Sequence, residues 1–517
     1  MRVGSKTGSE GARKPVGKIS DRLMRGAVWI VAARVVTVGA LMAHTVVLAQ
    51  LLGPAAFGLA AIATTVAAIV EIATKQSLTS ALVQTDNVTR DHIDTAFTLN
   101  LVRGAIIGTA IFLLAWPVAA LYNEERVVPM LLALGVSTSI FGISNPKLYV
   151  LSRDLQFWQE FARVACERAA VLAVSIPIAY FFRTPWAIIA GVAAGQISLV
   201  VSSFFFVPYR PRLCLKRTRE LLSFSIWVSL SQLLQGFVMR MDQLLVGYFL
   251  GNSALGILAV SSRLADAPKE SVMPILGTAF PGFAKLRSDI DQLRPAYQRV
   301  QAMIFLVHFP LAIGLALVAE PVVMLFLGEQ WADGILVIQL LAGATGLQAM
   351  ASAVNPLAMS QGMTRTLFFR TLLNTGLRVP MVIGGLLAYG LVGLLIARIL
   401  HSFTSVSVNM NLVRKILGLS IVDQLSANAR TIIATIAMVL ALLGFDLLYA
   451  GDASTTAMVI ELTAKVALGG AVFVLVLFAL WFVAKRPVGP EQEIVKLLTS
   501  VKDRAFKKTV VSPADTL

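Results

Sequence analysis

The chain has 517 residues, of which 57% are hydrophobic and only 14% are charged, and its mean hydropathy is +0.78. So little polar surface excludes a set of water-soluble domains. The net charge of +16 would favour nucleic-acid binding in a soluble protein. Here, however, apolar segments of 18 residues or more recur along the chain, which is typical of helical membrane proteins. We therefore predict an all-α polytopic membrane protein that binds no nucleic acid.

The first 25 residues are polar and basic, and we predict a cytoplasmic arm there (1–25). About fourteen transmembrane helices follow, since each apolar segment is long enough to cross a bilayer. The predicted spans are residues 26–50, 57–83, 95–121, 127–151, 159–182, 185–207, 221–249, 256–282, 296–326, 332–359, 366–389, 391–413, 428–449 and 459–484.

The predicted spans fall into two lobes of six helices with two helices after them. The divisions are an N-lobe (26–207), a basic inter-lobe loop (208–220), a C-lobe (221–413), the last two spans (428–484) and a polar tail (485–517).

The two lobes are related by duplication. The stretch Leu52–Leu59 (LGPAAFGL) returns 198 residues later as Leu250–Ile257 (LGNSALGI), with the same Leu-Gly-x-x-x-x-Gly frame. The offset grows slowly to 210 along the chain, as expected when a duplicated half gains small insertions. Further matched pairs are Trp29 with Trp227, Pro117 with Pro321, Asn145-Pro146 with Asn355-Pro356, and Arg168 with Arg378. Breaks at equivalent prolines favour lobes that rock about a central site.

The basic residues predict the orientation of the chain. Of the 44 Lys and Arg, 31 lie in the arm, the tail and the loops on one side of the predicted bundle, and only Arg126 and Arg183 lie in the loops opposite. Because basic loops stay in the cytoplasm, both termini are predicted to be cytoplasmic.

Eleven basic residues remain inside the spans. A charge at mid-bilayer costs at least about 2.5–3.5 kcal/mol, so these side chains must face a wet cavity, an acid or the headgroups. Their spread over several depths and both lobes suits an anion that is handed across the membrane. They are Arg34, Lys75, Arg103, Lys147, Arg168, Arg240, Arg263, Lys269, Arg378, Arg398 and Lys465.

Acidic side chains inside the spans offer partners for some of these charges. Glu71 with Lys75, and Glu461 with Lys465, are four residues apart on one helix and are expected to neutralise each other. Glu167 adjoins Arg168 and is expected to point elsewhere. Arg168 and Arg378 are therefore left without an obvious adjacent counter-ion, and the duplication places them equivalently, so we expect both to have a functional role.

The eighth span carries a polar stripe. Arg263, Asp266 and Glu270 fall within about 60° of one helix face, so we expect them to line a cavity. Together with Asp242, the acids of this stripe are the candidates for coupling H⁺ or Na⁺, should the protein be an ion-coupled transporter.

The two cysteines, Cys166 and Cys214, and the four scattered histidines show no metal-ligand spacing. We expect no metal, no cofactor and no catalytic residues. A membrane enzyme would need polar groups in a sizeable external loop, and the predicted external loops are short.

The stretch Ala49–Gly58 (AQLLGPAAFG), its weaker echo after the seventh span and the in-membrane arginines resemble the Wzx-type polysaccharide flippases. These belong to the multidrug/oligosaccharidyl-lipid/polysaccharide exporter superfamily. The fourteen-span layout is similar to its exopolysaccharide-export branch and to the MurJ lipid II flippases. The resemblance covers roughly residues 20–484.

The resemblance implies a V-shaped pair of six-helix lobes in the bacterial inner membrane. It implies a flippase that moves an undecaprenyl-diphosphate-linked oligosaccharide to the periplasmic leaflet by alternating access, for exopolysaccharide or lipopolysaccharide synthesis. A polysaccharide polymerase and co-polymerase are the implied protein partners. Guanidinium groups suit phosphate oxygens, so the implied substrate-binding residues are Arg34, Arg168, Arg240, Arg263 and Arg378.

Two alternatives in the same superfamily remain open from the sequence. One is a lipid II flippase, and the other is an ion-coupled antiporter of small molecules. The antiporter would depend on Asp242, Asp266 or Glu270.

Overall fold

The computed structural model describes residues 16–73, 88–148, 158–218, 226–449, 454–485 and 489–492. The described residues form helices and connecting segments and contain no β-strand. The start of the predicted arm, Lys75 and most of the predicted tail lie outside the described residues.

The N-lobe consists of six helices. The first begins ten residues before the predicted first span, so part of the predicted arm is helical. The helices are α1 (Val16–Leu51), α2 (Pro54–Ala73), α3 (Arg90–Tyr122), α4 (Val127–Phe141), α5 (Trp158–Phe182) and α6 (Trp186–Phe206).

The C-lobe contains longer helices and short interruptions. Its helices are α7 (Ile226–Ala265), α8 (Ala267–Glu270), α9 (Met273–Lys285), α10 (Ile290–Leu317), α11 (Ala319–Val322), α12 (Gly334–Gln348), α13 (Val354–Ser360) and α14 (Thr364–Leu417). A π-helix (Val323–Leu327) and two 3₁₀ turns (Glu329–Trp331, Ala349–Ala351) interrupt them. Then follow α15 (Ile421–Ser426), α16 (Ala429–Leu448) and α17 (Thr455–Val483).

Eleven helices among the described residues are long and apolar enough to cross a membrane. Two of them, α7 and α14, are broken in the middle, at Gly251 and at Tyr389–Gly390. Both glycines have positive φ, which lets the chain reverse without a side-chain clash. Gly385 and Gly393 touch across the second break, although eight residues of straight helix would separate them by about 12 Å. With each broken helix read as two arms, and with the shorter α4, the helices are consistent with the fourteen predicted spans.

The two copies of the glycine motif cross each other at one end of the bundle. A Cβ built on Gly58 would overlap the backbone of Asn252, and one built on Gly256 would overlap the backbone of Pro54. Because Pro54 and Asn252 are equivalent in the duplication, as are Gly58 and Gly256, the contact is reciprocal about a pseudo-two-fold axis. We call this end of the bundle, with residues 52–58 and 250–256, the motif end. The opposite end, with residues 208–218, is the basic end.

An aromatic and amide contact joins the lobes beside the crossing. Trp331 of the C-lobe is fully buried and donates its Nε1 hydrogen to the Ala49 carbonyl at 3.0 Å, and its ring meets Phe57 edge-on at 5.3 Å. Gln50 donates in return to the Phe326 carbonyl at 3.1 Å. A continuous apolar core from both lobes surrounds these groups, so the motif end is tightly sealed.

The loop after α3 adds a polar contact between the lobes. Tyr122 donates to the Leu244 carbonyl at 3.0 Å, and Glu124 accepts from the Asn252 amide at 3.0 Å. Arg126 donates to Glu124 at 2.7 Å, and this hydrogen bond holds the pKa of Glu124 below its ordinary value of 4.5. The carboxylate therefore stays ionised where it meets the C-lobe.

The repeated Asn-Pro dipeptides make different contacts in the two lobes. Asn145 is buried and donates to the carbonyls of Ser203 at 3.1 Å and Val207 at 2.7 Å, which closes the end of α6. Asn355 is exposed within α13. The dipeptide thus caps a helix in the N-lobe only, and the two Asn-Pro sites do not make equivalent contacts at which both lobes could bend.

The first part of the inter-lobe loop is docked on the N-lobe. Tyr209 donates to Asp94 at 2.6 Å, and the backbone NH of Cys214 donates to the Thr98 hydroxyl at 2.9 Å. Burial raises the pKa of Tyr209, so its phenol remains a donor. The loop segment 208–218 is therefore part of the N-lobe at the basic end.

We predict that a branched side chain at the motif crossing is not tolerated. Gly58→Val or Gly256→Val places methyl groups against the backbone of the other lobe and should cost about 3 kcal/mol or more. Thermal unfolding of the purified protein measures this. The matched control is Gly343→Ala in α12, where a Cβ meets no atom within 4 Å and should stabilise the helix by up to about 1 kcal/mol. Equal unfolding temperatures for Gly58→Val and the wild type would contradict the crossing.

A second prediction concerns pH at the motif end. Because the folded pKa of Glu124 is depressed, its contribution to stability is present above the ordinary value of 4.5 and is lost as the pH falls through the lowered folded value. The wild type should unfold at a higher temperature than Glu124→Gln at pH 7, and the difference should shrink only below that ordinary value. A difference already lost at pH 6 would disagree with this account.

Candidate functional site

Two charged residues on the first arm of α7 lie on opposite faces of the helix. Arg240 and Asp242 are two residues apart, which is about 200° around a helix. Asp242 faces the C-lobe, and its side chain is 3% exposed. Its carboxylate forms ion pairs with Arg378 at 2.6 Å and Arg398 at 3.4 Å, which lie on the two arms of α14. One buried carboxylate thus holds two guanidinium groups of its own lobe.

Arg378, which has no obvious counter-ion beside it in the sequence, has one in the structure. Asp242 supplies it from 136 residues away along the sequence, on a different helix. A search for acids three or four residues away on the same helix does not find such a partner. Arg398, another of the eleven in-membrane charges, belongs to the same group.

Arg168 is placed differently from its C-lobe twin. It does contact Glu167, at 3.4 Å, so the expectation that these neighbours face apart is wrong. Glu167 is shared, because the charges of both Arg168 and Arg163 act on it. Arg168 remains 26% exposed, and its buried Nε has no hydrogen-bond partner among the described residues.

Four basic side chains from both lobes lie close enough for their charges to interact. The charges of Arg168 of α5 and Arg263 of α7 act on His44 of α1, and the charge of Arg240 acts on Arg263. We call Arg168, Arg240 and Arg263 the cationic cluster, and His44 lies beside it. Three of the five predicted substrate-binding arginines belong to it.

Two members of the cationic cluster carry uncompensated charge. Arg240 and Arg263 are partly exposed, and neither forms a hydrogen bond or an ion pair with another described residue. The charge of Glu71 of the N-lobe acts on Arg240 through space. Unpaired guanidinium groups inside a membrane are costly, so they indicate an anion-binding role.

Arg34 makes an ion pair between the lobes. It reaches from α1 to Glu270 of α8, and each side chain is about one-third exposed, at 36% and 35%. Arg34 lies 18 residues, or about five helical turns, before Leu52 at the motif end, so the pair lies toward the basic end. It links the two lobes where they are not joined by the glycine motifs.

The three acids proposed for ion coupling are surrounded by arginines. Asp242 is held by two of them, Glu270 is paired with Arg34, and Asp266 lies in the field of Arg398. A bound cation would have to displace a guanidinium group from Asp242 or Glu270.

A polar pocket lies inside the N-lobe, where small residues bring α3 close to α4. Gly104 and Gly142 touch through their backbones. Glu71, Asn100 and Arg103 line the pocket, and Arg103 donates to the Glu71 carbonyl at 3.3 Å. Glu71 was expected to neutralise Lys75, which lies outside the described residues. The interaction of Glu71 with Arg240 joins two lobes, so it cannot be predicted from the spacing of residues along one helix.

The predicted pair at the end of the chain is confirmed. Glu461 meets Lys465 at 2.7 Å, and Asp446 of α16 adds a second contact at 2.6 Å. This buried lysine joins α16 to α17 and lies outside the two lobes.

A sequence model of the polysaccharide biosynthesis protein family matches residues 47–336, more than half of the chain. The chain belongs to this family.

Similar proteins within known biosynthetic systems agree with the family. The lipopolysaccharide biosynthesis protein WzxC of Escherichia coli (strain K12) is 24% identical over 78% of this chain and 83% of its own length. The succinoglycan biosynthesis transport protein ExoT of Rhizobium meliloti (strain 1021) is 24% identical over 70% of this chain and 73% of its own.

Solved structures share the fold. The lipid II flippase MurJ in its inward closed conformation superposes with a TM-score of 0.69 over 90% of this chain and all of that one, at 13% identity. An inward-facing multidrug resistance MATE family transporter of the MOP superfamily superposes with a TM-score of 0.59 over 76% of this chain and 99% of that one, at 14% identity. The predicted fold class, an all-α polytopic membrane protein, is confirmed, and the described helices are consistent with two six-helix lobes followed by two helices.

We predict that Asp242→Asn destabilises the C-lobe. Removing the carboxylate leaves two buried guanidinium groups without a counter-charge, which should cost about 3–5 kcal/mol. Thermal unfolding of the purified protein measures this. The matched control is Asp446→Asn, which also removes one acid from an ion pair but leaves Lys465 with Glu461. If both variants unfold at the same temperature, Asp242 does not hold the two arms of α14 together.

Proposed function

We propose that the protein is a flippase for an undecaprenyl-diphosphate-linked oligosaccharide repeat unit in exopolysaccharide or lipopolysaccharide synthesis. The observation that carries this proposal is the cationic cluster, because both lobes contribute to it and Arg240 and Arg263 have no ion-pair partner among the described residues. A diphosphate brings the negative charge that the cluster lacks. The relatives named for lipopolysaccharide and succinoglycan biosynthesis support the substrate class.

Guanidinium groups suit this substrate better than other cations. They donate two parallel hydrogen bonds to phosphate oxygens and lose less hydration than an ammonium group when they leave water. Arg168, Arg240 and Arg263 are the primary candidates to grip the diphosphate. Arg34 and Arg378, which are paired with Glu270 and Asp242 in this state, belong to the proposed substrate-binding set only if those pairs open during transport.

The proposed cycle is alternating access between the two lobes. The motif end is sealed in this state by the glycine crossing and by Trp331, so substrate would enter from the basic end. The Arg34–Glu270 pair joins the lobes on that side and would have to part for the lobes to separate. A hinge at the motif end with an ion pair opposite is suited to rocking motion.

We further propose that the basic end faces the cytoplasm of a bacterium, with both termini there and the helices in the inner membrane. The excess of Lys and Arg in the loops of that end supports the assignment. A polysaccharide polymerase and co-polymerase would then receive the lipid-linked unit on the opposite side.

The geometry favours this function over ion-coupled export of organic cations. An antiporter needs an acid that can release one cation and take up another. Asp242 and Glu270 are already occupied by arginines, and the unpaired charges of the cationic cluster would repel a cationic drug.

We expect the purified protein in liposomes to move a fluorescent polyprenyl-diphosphate sugar between leaflets. Arg240→Gln combined with Arg263→Gln should reduce the initial rate by about a hundredfold or more, since each of the two lost charged hydrogen bonds is worth about 1.5–3 kcal/mol. Quenching of the label on one side of the liposomes gives the rate.

The control for this experiment is Arg126→Gln. Arg126 is 72% exposed in a loop at the motif end, and its removal should leave the rate within about twofold, as expected for an exposed ion pair. Transport of organic cations instead of the lipid by the wild type would refute the proposal.

A further inference from the structure

His44 and Asp242 occupy the same place in the two halves of the duplication. His44 lies eight residues before Leu52, and Asp242 lies eight residues before Leu250, the first residues of the two glycine motifs. The reciprocal crossing of those motifs fixes the equivalence in space as well as in sequence. The two side chains can therefore be compared directly.

Their helices have equivalent neighbours. In the C-lobe, α7 packs against α14 and brings Asp242 to Arg378 at 2.6 Å. In the N-lobe, α1 packs against α5, and the charge of Arg168 acts on His44. Arg168 and Arg378 are also equivalent in the duplication. In each lobe, therefore, one of these arginines lies near the residue at the compared position, which is His44 in the N-lobe and Asp242 in the C-lobe.

The chemistry of the two positions differs. Asp242 neutralises its arginine, whereas an imidazole carries no negative charge in either of its protonation states. His44 is only 9% exposed, and its Nε2 has no hydrogen-bond partner among the described residues. From this position, therefore, Arg168 receives no compensating charge.

The acid that does lie near Arg168, Glu167, does not supply the full negative charge that Asp242 supplies to Arg378. Glu167 lies at 3.4 Å, and its charge is divided between Arg168 and Arg163. The charge of Arg263 of the C-lobe also acts on His44 and adds a second positive charge nearby. Replacement of the acid by histidine thus leaves excess positive charge where the lobes face each other.

We propose that His44 is a positioning residue that keeps Arg168 available for the substrate diphosphate, and that the duplication has divided the two arginines between tasks. Arg168 binds substrate, whereas Arg378 holds α7 and α14 together through Asp242. This inference rests on the proposed function, since it assigns the diphosphate to the N-lobe side of the cationic cluster.

The test compares His44→Asp with His44→Asn in the full-length protein. The two replacements have almost the same shape, but only the first brings the carboxylate that the C-lobe has at this position. The probe is a fluorescent polyprenyl diphosphate titrated onto the detergent-solubilised protein. We expect His44→Asp to weaken binding by about tenfold or more, since it competes for a charged hydrogen bond, and His44→Asn to stay within about threefold of the wild type.

A double-mutant cycle separates positioning from a merely structural effect. In an Arg168→Ala background, the difference in binding between His44→Asp and His44→Asn should shrink, because the carboxylate no longer has Arg168 to pair with and only its action on Arg263 remains. The unfolding temperature of His44→Asp should be at least that of His44→Asn, since the new carboxylate pairs with Arg168.

Three results would overturn the inference. They are equal binding by the two variants, an undiminished difference between the two variants when Arg168 is absent, and a His44→Asp protein that fails to fold while His44→Asn folds. If the wild type itself binds no polyprenyl diphosphate, the proposed function fails and this inference fails with it. If the wild type binds tightly and the two variants do not differ, the inference about His44 fails but the proposed function stands.

Discussion

The close crossing of the two glycine motifs is the contact on which the remaining geometry depends. Only glycine at positions 58 and 256 lets α2 and the second arm of α7 approach until their backbones touch. This contact sets a pseudo-two-fold axis, and the axis determines which residues of the two lobes become counterparts. It also closes the motif end, so the charged side chains deeper in the bundle face a space that is sealed on one side.

Around this axis the two lobes use equivalent positions for different purposes. The C-lobe buries Asp242 between Arg378 and Arg398, which converts costly in-membrane charges into a link between its helices. The N-lobe has His44 at the equivalent position and leaves Arg168 with a shared, longer contact. The excess charge is therefore concentrated where Arg168, Arg263 and Arg240 approach one another, and this is the feature that a diphosphate would satisfy. In the proposed account, the arginines of the C-lobe are structural and those at the interface between the lobes bind the substrate.

The sequence predicts the fold well because hydrophobic length and duplication are strong, local signals. Fourteen apolar segments, the repeated frame and the paired Glu461 and Lys465 all depend on spacing along one stretch of chain. Charges that find partners on other helices, such as Arg378 with Asp242 or Arg34 with Glu270, depend on packing and leave no such signal. The repeated Asn-Pro illustrates the converse, since equal sequence at Asn145 and Asn355 does not give equal contacts once the neighbouring helices differ. Comparing the two halves position by position does locate His44, because its equivalent in the C-lobe is an acid.

The most direct test of this account is a structure of the full-length protein with a bound polyprenyl diphosphate, solved in lipid nanodiscs. The account predicts that the diphosphate lies between the lobes, within hydrogen-bonding distance of Arg168 and of Arg240 or Arg263, while Arg378 remains paired with Asp242. A diphosphate bound instead to Arg378, with Asp242 released and the cationic cluster empty, would contradict it.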